Sequence, residues 1–243
     1  MADQLLFLAS FAVGIGPALV LMWLGLRRYT YPQIEKALFD DRRIFFALAV
    51  GLVVGTVSSF ISLNLPRLDV TSILVDLAAI AMFEETFKLI YLNRTGYRQN
   101  FSSTFYGFAL GLGVAATVVL SFGLGNPNLT TNPLTFILLA MFSIGFAAME
   151  ATTGALIGYG CSKGLPWSYL IRALLARLIY VVSALPFLLS AGPEWLIYIS
   201  MFSSLGVGLL LYFFVLSITF QETLPPDFRR RARKERRARA RKD

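Results

Sequence analysis

Histidine is missing from all 243 residues of the chain. Its absence excludes zinc or haem held by histidine, and every Ser/His or Cys/His catalytic pair. It also removes the commonest general base. A single cysteine, Cys161, rules out an intrachain disulfide and leaves the redox compartment unread. Charge is scarce too: Asp, Glu, Lys and Arg make up 15% of the chain, against about 25% in a soluble domain. No strand pattern, internal repeat or soluble domain is visible, and neither a cofactor nor a metal site is expected.

What is abundant is apolar. Hydrophobic residues reach 56%, phenylalanine alone accounts for 21 positions, and the mean hydropathy is +0.66. A hydrocarbon core about 30 Å thick needs roughly 20 apolar residues per helix. Seven runs meet that length, near 5–26, 44–63, 72–92, 102–124, 133–160, 166–189 and 195–221. The first has no basic stretch before it and is too long for a signal peptide, so it reads as a retained helix. The expected fold is all-α: a polytopic membrane domain over residues 1–224, followed by a cytoplasmic Arg-rich tail over 225–243.

Lys and Arg in the connections set the expected orientation. Arg27, Arg28, Lys36, Arg42, Arg43, Arg94, Arg98 and Lys163 fall between runs on one side; only Arg67 falls on the other. The alternation predicts seven crossings with the N-terminus outside and the C-terminus in the cytoplasm. Trp23, Trp167 and Trp195 fall near the expected interfaces. Residues 227–243 carry ten Lys/Arg and three acids, so nearly all of the net +8 sits in the tail. Such a segment buries no core. Its expected partners, through residues 229–243, are anionic lipid or an acidic protein surface, with RNA a lesser alternative.

One run breaks the pattern. AMFEETFKLIYL, residues 81–92, places Glu84, Glu85 and Lys88 inside an apolar helix. Each such charge at a bilayer centre costs about 2.5–3.5 kcal/mol on the insertion scale. At about 100° per residue the three share one sector with Leu77, Ala78 and Ala81, and the alanines would admit a neighbouring helix. Glu150 in the fifth run and Arg172 and Arg177 in the sixth lie at similar depth. Three acids against three bases make a neutral set. Asp76 lies nearer the outer end and reads as interfacial. Adjacent carboxylates can supply a general base and a general acid, with Lys88 or Arg177 stabilising an oxyanion. The candidate catalytic residues are therefore Glu84, Glu85 and Lys88, with Glu150 and Arg177 behind them. The competing reading is a buried ion network that fixes helix register, with Arg172 snorkelling to the interface.

Glu84-Glu85-Thr86-Phe87-Lys88 resembles the EExxK signature of the PrsW family of intramembrane proteases, related to the CAAX prenyl endopeptidases. GIGPALVLMWLGLRRYTYP followed by RRIFFALAVGLVVGT resembles that family's opening. FYGFALGLGVA and ATTGALIGYG resemble two of its later helices, so the likeness runs over roughly residues 10 to 185. The resemblance implies glutamates that activate water, completed by histidines. Here the stretch after EExxK lacks the family's glutamate, and Met149-Glu150 and the region of Tyr180 stand near its histidine positions. The reading that follows is a PrsW-like membrane protein, non-catalytic or weakened, serving as a subunit or scaffold of a larger membrane complex. The alternative is an intramembrane endopeptidase in which Glu84 and Glu85 activate water.

Overall fold

The computed structural model describes residues 2–30, 38–65, 69–126, 133–189 and 192–224. The Arg-rich tail, Lys36 and Arg67 lie outside the described residues. Seven long helices form the body: α1 Ala2–Leu26, α2 Asp41–Asn64, α3 Val70–Leu92, α4 Ser103–Gly125, α5 Pro133–Lys163, α6 Pro166–Leu188 and α7 Glu194–Phe214. A π-helical turn, Val215–Thr219, and a short α8, Phe220–Thr223, continue α7. Six of these helices are long and apolar enough to cross a bilayer. The exception, α3, has 23 residues but carries Asp76, Glu84, Glu85 and Lys88. The chain is an all-α, polytopic membrane protein.

Local chemistry sets the helix ends. Asp40 accepts from the Arg42 amide at 2.9 Å to open α2, and Asp69 and Ser72 form a reciprocal capping box at the start of α3. The reversal from α5 to α6 takes two residues. Gly164 sits at φ +72°, the Leu165 amide donates to the Gly160 carbonyl at 2.9 Å, and Pro166 opens α6. At that first position the N–H that proline lacks has no helical partner to lose.

Apolar side chains gain little by leaving lipid for one another, so membrane helices associate through close packing and small residues. The core follows that rule. α4 is buried without a break from Ser103 to Ala116. Gly51 of α2 lies against Leu110 and Gly113 of α4. On the other flank of α4, Gly107 and Gly111 lie against the backbone of Gly154 and Glu150 in α5. Gly145 of α5 meets Gly208 of α7 in the same way. A Cβ at Gly51, Gly107, Gly111 or Gly208 would overlap a backbone atom of the facing helix. Backbone contact therefore locks α2, α4, α5 and α7 in register.

α3 is attached differently. No residue from Val70 to Phe83 is buried, whereas Glu84, Glu85, Lys88, Leu89, Tyr91 and Leu92 are. The close approach expected at the alanines does not occur: Ala78 is exposed and Ala81 half-buried. The charged second half of α3 is drawn onto α5 and α6, and the first half stands over a cavity instead of a helix. Trp23, Trp167 and Trp195 all point outward, and the Arg27 guanidinium lies 4.8 Å above the Trp23 ring.

Candidate functional site

Three helices bring five charged side chains to one point. Glu84, Glu85 and Lys88 come from α3, Glu150 from α5 and Arg177 from α6. The first four are 0% exposed and Arg177 is 5% exposed. Glu150 is carried by the α4–α5 glycine contact, since its own carbonyl faces Gly111.

Arg177 is the hub. Its Nη2 lies 2.5 Å from Glu84 Oε2, while Nη1 lies 3.0 Å from Glu85 Oε1 and 2.7 Å from Glu150 Oε1. The planar fork of a guanidinium suits several carboxylates at once. Lys88 Nζ donates to Glu85 Oε1 at 2.9 Å, Glu150 Oε2 at 2.5 Å and Thr153 Oγ1 at 2.9 Å. All three ammonium hydrogens are thereby used. Ser58 of α2 donates to Glu84 Oε1 at 2.5 Å, tying a fourth helix to the cluster.

The neutral set of six expected from the sequence is corrected here. Arg172 is exposed and stacks 4.5 Å above the Tyr169 ring, away from the cluster. It lies five residues before Arg177, which at 100° per residue turns it to a different face of α6. Three carboxylates therefore face two cations, and the fully ionised set carries one negative charge. Hydrogen bonding is also incomplete. Glu85 Oε2 and Arg177 Nε have no hydrogen-bond partner among the described residues. Glu150 Oε1 is near Arg177 Nη1 but out of line for a hydrogen bond. Each such orphan costs about 1–3 kcal/mol.

A cavity of about 220 Å³ adjoins the cluster. It lies between α2, α3, α4, α5 and α6 and reaches from Ser58, Glu84 and Arg177 towards Asn126 at the end of α4. Of the five charged residues only Glu84 and Arg177 border it; Glu85, Lys88 and Glu150 lie behind them. Asp76, expected at an interface, is half-buried on the cavity wall.

The structure thus brings together every candidate named from the sequence: Glu84, Glu85, Lys88, Glu150 and Arg177. Sequence reasoning missed Ser58 and Thr153. Thr153 lies three residues after Glu150, on the same helix face, so the 3.6-residue period held a signal for it. Ser58-Ser59 is a polar pair inside an apolar run, but nothing local says which helix it meets. Among the described residues no group of Cys, Asp and Glu is arranged to hold a metal ion. Lys88 and Arg177 occupy the centre of the carboxylate cluster. Searches against protein-family models, curated proteins and solved structures match nothing to this chain.

Proposed function

We propose that the chain is a PrsW-like integral membrane protein that serves as a non-catalytic subunit or scaffold of a larger membrane complex, with its glutamate motif used as an ionic keystone. The observation that carries this reading is the one-sided access to the glutamate pair. Glu84 borders the cavity, whereas Glu85 is sealed behind it and shares Oε1 between Lys88 and Arg177. Acid–base hydrolysis by two carboxylates needs both within reach of one water and the scissile group. Both oxygens of Glu84 are also already engaged, by Ser58 and by Arg177. No histidine is present to take over the proton transfer.

In this reading all seven long helices cross the bilayer. α3 rises about 35 Å at 1.5 Å per residue, enough for a core of about 30 Å. Its charges are compensated inside the protein, which lowers the insertion cost that its sequence alone would carry. The loop charges place the N-terminus outside and the C-terminus in the cytoplasm. The tail then meets anionic headgroups or an acidic face of a partner subunit.

The peptidase reading rests on a different observation, that Glu84 and Arg177 both line the cavity. There Glu84 would activate water and Arg177 would face the oxyanion. Glu84→Gln separates the two. The tagged wild type and variant are purified from native membranes, and co-purifying chains are identified by mass spectrometry. A scaffold keeps the same partners in both. A peptidase loses its product by about 10²-fold or more and accumulates an uncleaved membrane protein on the variant, and that outcome would reject the scaffold.

A further inference from the structure

Two cations at the reversal from α5 to α6 take no part in the buried cluster. Lys163 ends α5 and Arg172 lies two turns into α6, and both are exposed. None of the ion pairs among the described residues involves either of them. Each lies instead over the face of a tyrosine. Lys163 Nζ is 5.3 Å from the centre of the Tyr159 ring, and the Arg172 guanidinium is 4.5 Å from that of Tyr169.

The two rings meet edge to face, 5.1 Å apart at 73°. Gly160 permits the contact, because a Cβ there would overlap the Cβ of Tyr169. Helical side chains lean towards the N-terminus of their own helix. Since the chain reverses between α5 and α6, Lys163 leans away from the turn and Arg172 leans towards it. Both charged heads thereby come to the level of the tyrosine pair. Glu222 of α8 accepts from the Tyr159 hydroxyl at 3.0 Å. That carboxylate lies off the edge of the ring, whereas Lys163 lies over its face.

Cations stacked on packed rings are already oriented, so a ligand orders less on arrival. Guanidinium and ammonium differ in how they hold phosphate: one offers a flat fork of donors, the other a point charge. Below Arg172 the surface turns apolar. Leu175 and Ile179 fall within about 60° of it around α6, and both are exposed. Trp167, exposed at the start of α6, marks the headgroup level. A free phosphate would use only the upper half of this surface, whereas a lipid uses both halves. Two positive charges without an acid also disfavour a headgroup that carries its own ammonium.

We propose that Lys163 and Arg172 bind the phosphate of an anionic phospholipid at the α5–α6 turn, its acyl chain lying along Leu175 and Ile179.

The test uses the full-length protein in mixed bilayers of phosphatidylglycerol and phosphatidylcholine, one of them with brominated chains. Trp23, Trp167 and Trp195, all exposed, are replaced by Phe, and Ile179→Trp places a single fluorophore on the acyl surface. Quenching then gives the relative affinity of the two lipids at that place. Phosphatidylglycerol should be preferred severalfold. Lys163→Gln and Arg172→Gln should each lower the preference by about two- to fivefold, from the usual contribution of one basic residue near a charged surface. Arg172→Lys, which keeps the charge, should retain most of it. A chain with Trp23 as its sole tryptophan reports on α1, and its preference should not respond to either substitution. The basic tail is common to all these chains and so does not produce the difference. No preference at position 179, a preference that survives both Gln substitutions, or an equal response at Trp23 would overturn the proposal. So would an acidic protein that co-purifies through Arg172 while the lipid preference is absent, since the surface would then belong to a protein partner.

Discussion

Arg177 Nη2 and Glu84 Oε2 meet at 2.5 Å across an interval of 93 residues, joining α6 to α3 inside the membrane domain. The contact anchors a helix that otherwise has few buried residues. It also makes Arg177 the one cation that touches all three glutamates, and the charge accounting of the cluster depends on it.

Arg177→Met should therefore be among the most damaging single substitutions. It leaves Glu84, Glu85 and Glu150 with Lys88 alone, and breaking a buried pair from one side costs about 3–5 kcal/mol. Arg172→Ala, on an exposed stacked arginine, should stay within about 0.5 kcal/mol. Thermal unfolding of both variants in the same detergent checks the contrast. Similar losses would remove Arg177 from its central role.

The imbalance of three acids and two bases predicts an asymmetry. Glu84→Gln makes the ionised set neutral, whereas Lys88→Met raises its excess to two negative charges. Lys88→Met also removes one donor from each of Glu85, Glu150 and Thr153, and leaves Glu85 and Glu150 with Arg177 alone. It should cost roughly 3–5 kcal/mol, and Glu84→Gln clearly less. The reverse order in unfolding temperature would contradict the charge count.

Helix register is tested at glycine. A Cβ on Gly111 would strike the carbonyl of Glu150, while a Cβ on Gly206 meets nothing within 4 Å. Gly111→Ala should destabilise by about 1–3 kcal/mol through overpacking and displace Glu150 from Arg177. Gly206→Ala should be neutral or stabilising by up to about 1 kcal/mol, as alanine favours helix over glycine. Paired unfolding measurements give the sign of each.

Topology can be read by labelling, because Cys161 is buried and leaves a quiet background. With the seven-crossing arrangement, a cysteine at Asn128 should react with an impermeant reagent from outside, and one at Lys242 only after the cytoplasmic face is opened. Labelling of both from one side of intact cells would end that arrangement.

Deleting residues 229–243 should leave the helical domain folded, since an Arg-rich segment contributes no core. Association through the tail should weaken, more at low salt than at high, because screening sets in within about 8 Å at physiological ionic strength. If the truncated protein keeps every interaction at both low and high salt, the tail has no such role.

The positions of the helices and the charged sector of α3 were legible in the sequence, because both depend on near neighbours. Apolar runs of bilayer length set the helices, and a 100° step per residue sets which side chains share a face. Glu84, Glu85, Lys88, Glu150 and Arg177 could be grouped by depth and charge alone. Tertiary structure decided the rest. The loss of Arg172 from the charge count, the recruitment of Ser58 and Thr153, and the cavity beside Asp76 all depend on how each helix is rotated and tilted against its neighbours. Those rotations are set where Gly51, Gly107 and Gly111 let backbones touch across long intervals of chain. Periodicity is a property of one helix, whereas the partner of a buried charge is a property of the bundle.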